Sequence, residues 1–123
     1  MEVILDSSFI VSAVRKKIDF MVDLKSLGFK ILVPREVLQE LKDLKRRGKT
    51  SRADREAIDI AFTILNDKKV KKMKLGGKNV DEGLIARGRD GAYVATLDRG
   101  IKREIENRVV IMSAKNSVGV ERA

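Results

Sequence analysis

Two aspartates follow predicted strands, in positions where they could share one site. Asp6 closes the strand predicted over residues 2–6, and Asp98 follows the strand predicted over residues 92–97. In an open α/β sheet, sites form outside the carboxyl ends of the strands. The two carboxylates can therefore meet if these strands are near neighbours. Taken alone, each is explained more simply as a helix cap or the start of a turn.

A third carboxylate, that of Glu40, lies beside the apolar stripe of a helix predicted over residues 35–47. At about 100° per residue it falls roughly 60° from that stripe, at the edge of the buried face. A carboxylate in such a position needs a partner, which in an ordinary helix is a lysine or arginine. Glu36 and Asp43 fall farther round the helix, where exposure to solvent is predicted.

Asp81 and Glu82 begin a short helix predicted over residues 81–87. Carboxylates there are stabilised by the positive end of the helix dipole, so stability alone explains this pair. The chain contains no histidine and no cysteine, which excludes zinc sites, thiol nucleophiles and Ser-His triads. The remaining ligands are hard oxygen atoms, which suit Mg²⁺ or Mn²⁺. The acidic positions are therefore interpreted together, as one candidate cluster.

Composition limits the possible partners. The chain has 123 residues, 43% hydrophobic, which fits one domain spanning residues 1–123. Lys and Arg number 27 against 18 Asp and Glu, a net charge of +9. This excess favours a polyanionic partner such as nucleic acid, although a solubilising surface explains the charge alone nearly as well. No apolar run approaches the roughly 20 residues of a membrane-spanning helix, so we expect a soluble, cytoplasmic protein without a membrane partner.

The elements that must position the acids alternate along the chain. Short apolar, β-branched runs predict strands, and the segments between them have helical periodicity. The predicted strands cover residues 2–6, 30–33, 70–75, 92–97 and 109–112, and the predicted helices cover 9–27, 35–47, 51–65, 81–87 and 101–106. This alternation favours the α/β class, with one central parallel sheet of four to five strands and helices on both faces.

Four segments resemble the motifs of PIN-domain nucleases in order and spacing, over nearly the whole chain. They are a strand ending in an acid at 3–8, a strand, proline and helix at 33–41, an acidic helix start at 80–85, and a strand ending in an acid at 94–99. Residues 96–103 are most similar to the archaeal relatives of the small-subunit pre-rRNA-processing PIN endonucleases. The chain departs from the family pattern at two places. Many members have two aspartates where this chain has Asp81-Glu82, and many have an asparagine where this chain has Ser8.

The resemblance implies an endoribonuclease that hydrolyses RNA phosphodiesters with the help of Mg²⁺ or Mn²⁺, with rRNA maturation as its role. The implied catalytic residues and metal ligands are Asp6, Glu40, Asp81 and Asp98, with Glu82 as a further ligand. We favour Asp81 over Glu82 as the main ligand of that pair. Ser7 and Thr96 are implied as supporting residues that orient the ligands.

Basic residues are expected to bind RNA phosphates without reading sequence. The predicted RNA-binding residues are Arg46, Arg47, Lys49 and Arg52 around one helix junction, and Lys71 and Lys72 within a lysine run that begins at Lys68 and Lys69. Two alternatives remain within the family: a VapC-type toxin ribonuclease, and a catalytically weak RNA-binding scaffold. The corresponding partners are precursor rRNA with a ribosome-assembly partner, or an antitoxin. The frequent dimerisation of the family also favours a homodimer.

Overall fold

Six strands and six helices lie in the residues that the computed structural model describes, 1–67 and 70–122. The strands are β1 Glu2–Leu5, β2 Lys30–Pro34, β3 Lys71–Met73, β4 Tyr93–Ala95, β5 Asn107–Met112 and β6 Ser117–Arg122. The helices are α1 Ser7–Arg15, α2 Phe20–Ser26, α3 Arg35–Arg46, α4 Arg52–Leu65, α5 Val80–Arg89 and α6 Arg99–Lys102. Lys68 and Lys69 of the predicted basic run lie outside the described residues. Within these ranges, every helix is too short or too polar to cross a membrane.

The strands form one sheet in the order β3-β2-β1-β4-β5-β6. β1 lies near its centre and pairs in parallel with β2 on one side and β4 on the other. β3 and β5 extend the parallel sheet outward. The predicted α/β class is confirmed. The condition for a shared site is also met, because the strands that precede Asp6 and Asp98 are direct neighbours.

β6 is a sixth strand beyond the predicted four to five, and it runs antiparallel to β5 at the edge of the sheet. An antiparallel edge strand lacks the continuous apolar run by which buried parallel strands are recognised. Its signals are weaker. Val118 is buried and Val120 is exposed, and the turn before the strand contains Asn116 with a φ of 48°, which asparagine tolerates better than most residues.

The side chains of β1 alternate between two cores, one on each face of the sheet. Val3 and Leu5 belong to the larger core, which they share with residues of α1, α2, α3 and α4. Ile4 belongs to the smaller core with Leu84 of α5 and Ile101 of α6. The prediction of helices on both faces is confirmed. Burial on both faces also explains why the central strands have unbroken apolar runs.

Two predicted helices differ substantially from the structure. The helix predicted over residues 9–27 is divided into α1 and α2, because Lys17 has a φ of 58° and Asp19 caps the second helix by accepting from the Val22 N–H at 3.2 Å. The prediction of a helix over residues 101–106 is largely wrong. The helix begins at Arg99, because the Asp98 carboxylate caps it, and it already ends at Lys102, so residues 103–106 are not helical.

Candidate active site

Asp6 directly follows β1 and is buried, with 5% of its surface exposed. Its main-chain N–H donates to the Ala95 carbonyl at the end of β4, at 2.9 Å. Its carboxylate accepts from the Ser7 N–H at 2.8 Å and from the Thr96 hydroxyl at 2.7 Å. Asp6 therefore does cap α1, as the simpler interpretation expects. It is also bound to the residue that follows the neighbouring strand.

Glu40 is half-buried on α3, as its predicted place at the edge of the apolar face requires. The Ser7 hydroxyl donates to its carboxylate, so Ser7 connects Glu40 to Asp6. Burial raises the pKa of the Asp6 carboxyl, hydrogen bonds from Thr96 and Ser7 oppose that rise, and the negative charge of Glu40 adds to it. The two carboxylates therefore repel each other in a poorly hydrated place, an arrangement that a cation would stabilise.

Thr96 connects Asp6 to Asp98. The threonine is fully buried, and its hydroxyl donates to Asp6 and accepts from the Asp98 N–H at 3.1 Å. The Asp98 carboxylate is exposed and accepts from the N–H groups of Gly100 and Ile101, at 2.7 and 3.2 Å. Asp98 thus caps α6, and the Thr96 bond fixes its main chain beside Asp6.

Asp81 and Glu82 are exposed in the first turn of α5, where the Asn79 side chain accepts from the Glu82 N–H at 2.8 Å. Both residues line a cavity of about 530 Å³ together with Asp98. The structure therefore brings the acidic helix start and the acid after β4 to one depression. It does not distinguish Asp81 from Glu82 as the better placed carboxylate.

The predicted acids form two neighbouring groups at one edge of the sheet. One group is Asp6 with Glu40, and the other is Asp81 and Glu82 with Asp98. Among residues 1–67 and 70–122, no three acidic side chains are close enough to hold one metal ion together. The bonds through Ser7 and Thr96 nevertheless give both predicted supporting residues a direct contact with an acid of the site.

Replacing Thr96 by valine is expected to destabilise the protein by about 1–3 kcal/mol, because it leaves the partly buried Asp98 N–H without an acceptor and removes a donor from the buried Asp6 carboxylate. Loss of the hydroxyl also removes a hydrogen bond that lowers the pKa of Asp6, so this pKa should rise further. Urea unfolding and NMR titration of the Asp6 carboxyl would measure the two effects. Thr63→Val is the control, since that hydroxyl is exposed and bonds only within α4. Equal losses in the two variants would contradict the role of Thr96.

Ser8 is a site residue that the sequence treats only as a departure from the family pattern. Its hydroxyl donates to the Asp6 carboxylate at 3.2 Å and accepts from the Leu97 N–H at 3.1 Å. It therefore makes a second connection between the start of α1 and the segment after β4. At the position where the sequence departs from the family pattern, a serine thus bonds Asp6 directly.

The structure corrects the prediction that Glu36 faces solvent. Its half-buried carboxylate accepts from the N–H groups of Leu75 and Gly76, each at 3.0 Å. These residues begin the loop that leads to α5, so Glu36 anchors the segment that carries Asp81 and Glu82. Partial burial alone would raise the pKa of Glu36, but the two backbone hydrogen bonds and the charge of Lys74 outweigh it and lower the pKa.

Glu36→Gln is expected to cost about 1–3 kcal/mol of stability at neutral pH, because an amide accepts fewer of these bonds and carries no charge. The pKa of Glu36 is lowered in the folded state from its ordinary value of 4.5. The stabilisation is therefore present above pH 4.5 and is lost as the pH falls through the folded-state pKa. Urea unfolding of wild type and variant across pH would test this. A difference that persists unchanged in acid, or that Glu56→Gln at an exposed position matches, would contradict it.

The two predicted basic clusters do not lie together. Arg46, Arg47, Lys49 and Arg52 are exposed around the α3–α4 junction. Lys72 is half-buried on β3 and its ammonium donates to the carbonyl of Leu65, the last residue of α4. Because α4 has 14 residues, the two clusters are separated by roughly 20 Å along this helix. Lys71 is exposed beside Lys72, so the β3 cluster is a separate surface in which one ammonium has a structural bond.

Comparisons with known proteins agree on the fold. A family model described as a PIN like domain matches residues 3–115. No curated protein is similar enough in sequence to count as a match. A chain in the crystal structure of VapBC2 from Rickettsia felis, bound to a DNA fragment from their promoter, has a TM-score of 0.52 and 17% sequence identity, and the match covers 88% of this chain and 98% of that chain. At this identity the likeness shows the fold alone.

Proposed function

Since the chain belongs to the PIN-like domain family, we propose that it is a metal-dependent endoribonuclease that hydrolyses RNA phosphodiesters. The observation that carries the proposal is the position of Asp6, a buried carboxylate with a raised pKa that hydrogen bonds connect to Glu40 through Ser7 and to Asp98 through Thr96. Such perturbed carboxylates at the carboxyl edge of a parallel sheet are typical of functional sites.

The chemistry of the donor set, rather than its arrangement without metal, suits a hard divalent cation. The ligands proposed for Mg²⁺ or Mn²⁺ are Asp6, Glu40, Asp81, Glu82 and Asp98. All are carboxylates, and the repulsion between Asp6 and Glu40 would be relieved by positive charge. When bound, such an ion makes water a stronger nucleophile and stabilises the charge that develops on the leaving oxygen. The exposure of Asp81 and Glu82 leaves their side chains few packing restraints on a change of rotamer.

The residues of the chain supply orientation. Ser7 holds the Glu40 carboxylate, and Thr96 holds Asp6 while fixing the main chain of Asp98. Because these bonds are made without substrate, the acids are restrained before RNA arrives, which reduces the cost of organising the site during reaction. Hydrolysis by this set would leave 5′-phosphate and 3′-hydroxyl ends.

For the biological role we propose maturation of small-subunit rRNA in the cytoplasm, on the resemblance of residues 96–103. Precursor rRNA would be the substrate, and exposed arginines and lysines at the α3–α4 junction would contact its phosphates. A ribosome-assembly partner and a homodimer belong to the same proposal. A VapC-type toxin with an antitoxin partner is the second candidate, favoured by the likeness in fold to a chain of VapBC2.

The test is cleavage of a structured precursor-rRNA fragment and of an unrelated single-stranded RNA, each with Mn²⁺, Mg²⁺ or EDTA. Wild type is compared with Asp98→Asn, because asparagine caps a helix as well as aspartate does and so removes the charge while keeping the start of α6. Asp90→Asn is the control, since Asp90 is exposed at the far end of α5. Metal-dependent cleavage by wild type and Asp90→Asn, but not by Asp98→Asn, is expected.

The choice of substrate separates the candidate roles. Preference for the precursor fragment would support rRNA maturation, and equal cutting of both RNAs would favour the toxin class. Tight RNA binding without cleavage under any metal condition would contradict the endoribonuclease proposal and leave an RNA-binding scaffold. Cleavage that persists in EDTA would contradict the metal dependence.

A further inference from the structure

We propose that a groove along α1 binds the RNA segment next to the cleaved bond, an inference that rests on the endoribonuclease function proposed above. The groove has a volume of about 580 Å³. One wall is α1, and the other is formed by Leu44 of α3 and Asp54 of α4. The remaining lining residues are Ser7, Ser8, Val11, Ser12 and Arg15 of α1, and Lys16 directly after it.

One end of the groove lies at the carboxylates. Ser7 and Ser8 line it, and their hydroxyl groups donate to Glu40 and Asp6 respectively. A ligand that occupies the groove therefore touches the same side chains that orient the proposed metal ligands. The groove is continuous with the site and is not a remote pocket.

The other end is basic. Arg15 and Lys16 lie at the end of α1, roughly 10 Å along the helix from Ser8. Arg15 forms an ion pair with Asp54 at 3.1 Å, whereas no described residue pairs with Lys16. Arg46 and Arg47 are exposed and follow Leu44 by two and three residues, outside the residues that line the groove. The net positive charge of the lining therefore comes from Arg15 and Lys16, at the end of the groove away from Ser7 and Ser8, against the single carboxylate of Asp54.

The middle of the groove combines a hydroxyl with aliphatic surface. Ser12 lies one helical turn after Ser8, and the half-buried Val11 and Leu44 contribute apolar area. A hydroxyl donor beside aliphatic surface suits a sugar-phosphate backbone, in which phosphate anions alternate with the carbon surface of the sugars. The chain has only four phenylalanines, one tyrosine and no tryptophan, and none lines the groove. Binding through the backbone, without base stacking, is therefore the recognition that this surface supports.

Charge and position favour RNA over a protein segment as the occupant. Lys16 lines the groove without an ion-pair partner among the described residues, and the chain has a net charge of +9, which favours a polyanion. The groove also adjoins Ser7 and Ser8, whose hydroxyl groups bond the acids of the proposed nuclease site. A single-stranded RNA whose cleaved bond lies at those acids would place a further phosphate near Lys16, whereas an apolar peptide would leave this cation without an anion.

The first experiment places a negative charge inside the groove. Binding of a fluorescent single-stranded RNA is measured by anisotropy in EDTA, so that the RNA stays intact. Ser12→Asp is expected to weaken binding on the order of tenfold, by repulsion of the phosphate. Ser26→Asp adds the same charge at the exposed end of α2, at the opposite end of the sheet from the carboxylates, and should leave affinity nearly unchanged.

The second experiment removes one proposed phosphate contact. Lys16→Gln should reduce the slope of log Kd against log salt by about 0.7, the value for one phosphate contact on a single strand. Lys30→Gln removes the same charge from an exposed position at the start of β2 and should not change the slope. Thermal unfolding of all four variants verifies that none acts by losing the fold.

The outcomes separate this inference from the proposed function. If wild type cuts RNA but Ser12→Asp and Lys16→Gln bind as their controls do, the groove inference is wrong and the nuclease proposal stands. If wild type binds RNA through the groove but never cuts it, the nuclease proposal is wrong and the groove stands. If wild type neither binds nor cuts single-stranded RNA, both are overturned and a protein partner becomes the occupant to examine.

Discussion

Asp6→Asn is expected to reduce metal-dependent RNA cleavage by at least about a hundredfold. Loss of a residue that only supports a metal ligand already costs 10- to 100-fold, and Asp6 is placed as a ligand itself. Its position is also the least replaceable, because it is buried and bonded to Ser7, Ser8 and Thr96. Initial rates at saturating Mn²⁺, for variant and wild type under identical conditions, give the ratio.

The control for Asp6→Asn is Asp90→Asn, which makes the same chemical change at an exposed carboxylate away from the site. Asparagine keeps an oxygen that can accept from the Thr96 hydroxyl, so the fold should survive, and thermal unfolding will verify this. If the folded Asp6→Asn protein cleaves RNA at a rate within tenfold of wild type, Asp6 is not one of the catalytic metal ligands.

Mn²⁺ is expected to raise the unfolding temperature of the wild-type protein by roughly 10 °C at a hundred times its dissociation constant. A ligand at that concentration adds about 2.7 kcal/mol to the free energy of unfolding, and for a domain of this size each kcal/mol corresponds to a few degrees. The physical reason is the repulsion between Asp6 and Glu40, which a bound cation would replace by attraction. Differential scanning fluorimetry across a Mn²⁺ titration measures the shift.

The pH dependence of that shift has a definite sign. Burial raises the pKa of Asp6 above its ordinary value of 3.8, so the metal-free fold loses stability as the pH rises from 3.8 through the raised pKa. Metal binding requires the ionised carboxylate, so the stabilisation by Mn²⁺ should grow over the same range. Asp6→Asn should show a much smaller shift, and KCl of equal ionic strength should give none. An equal shift in the variant, or none in wild type, would exclude Asp6 as a ligand.

The contact between α5 and the loop before it affects the interpretation of variants near Asp81 and Glu82. Gly83 packs against the loop that Glu36 holds, and a Cβ there would lie 2.6 Å from the Leu75 side chain and 2.8 Å from the Gly76 carbonyl oxygen. Only a residue without a side chain allows this approach of the helix to the loop. A variant in this region can therefore lose activity because an acid is missing or because an acid is displaced. Glu36→Gln separates the two causes, because it replaces none of the proposed ligands and any loss must come from displacement.

Local sequence pattern was sufficient to predict the alternation of strands and helices and a central parallel sheet. The unbroken apolar runs at β1 and β4 predict strands buried on both faces, and the acids that follow them have positions that strand ends dictate. The edge strand β6 and the short α6 were missed or misplaced because their stability comes from pairing and capping. A six-residue alternating segment and a single capping carboxylate leave little periodic signal.

The assembly of the site was decided by the tertiary structure. Strand order brings Asp6 within one hydrogen bond of Thr96, and the packing of α3 brings Glu40 to Ser7. Helical periodicity predicts Glu36 to be exposed, since it describes the helix alone and not the loop that comes to lie on it. The distance between the two predicted basic clusters likewise depends on how α4 packs between α3 and β3. Periodicity specifies which face of an element is buried, whereas the partner of that face depends on contacts between residues far apart in the chain.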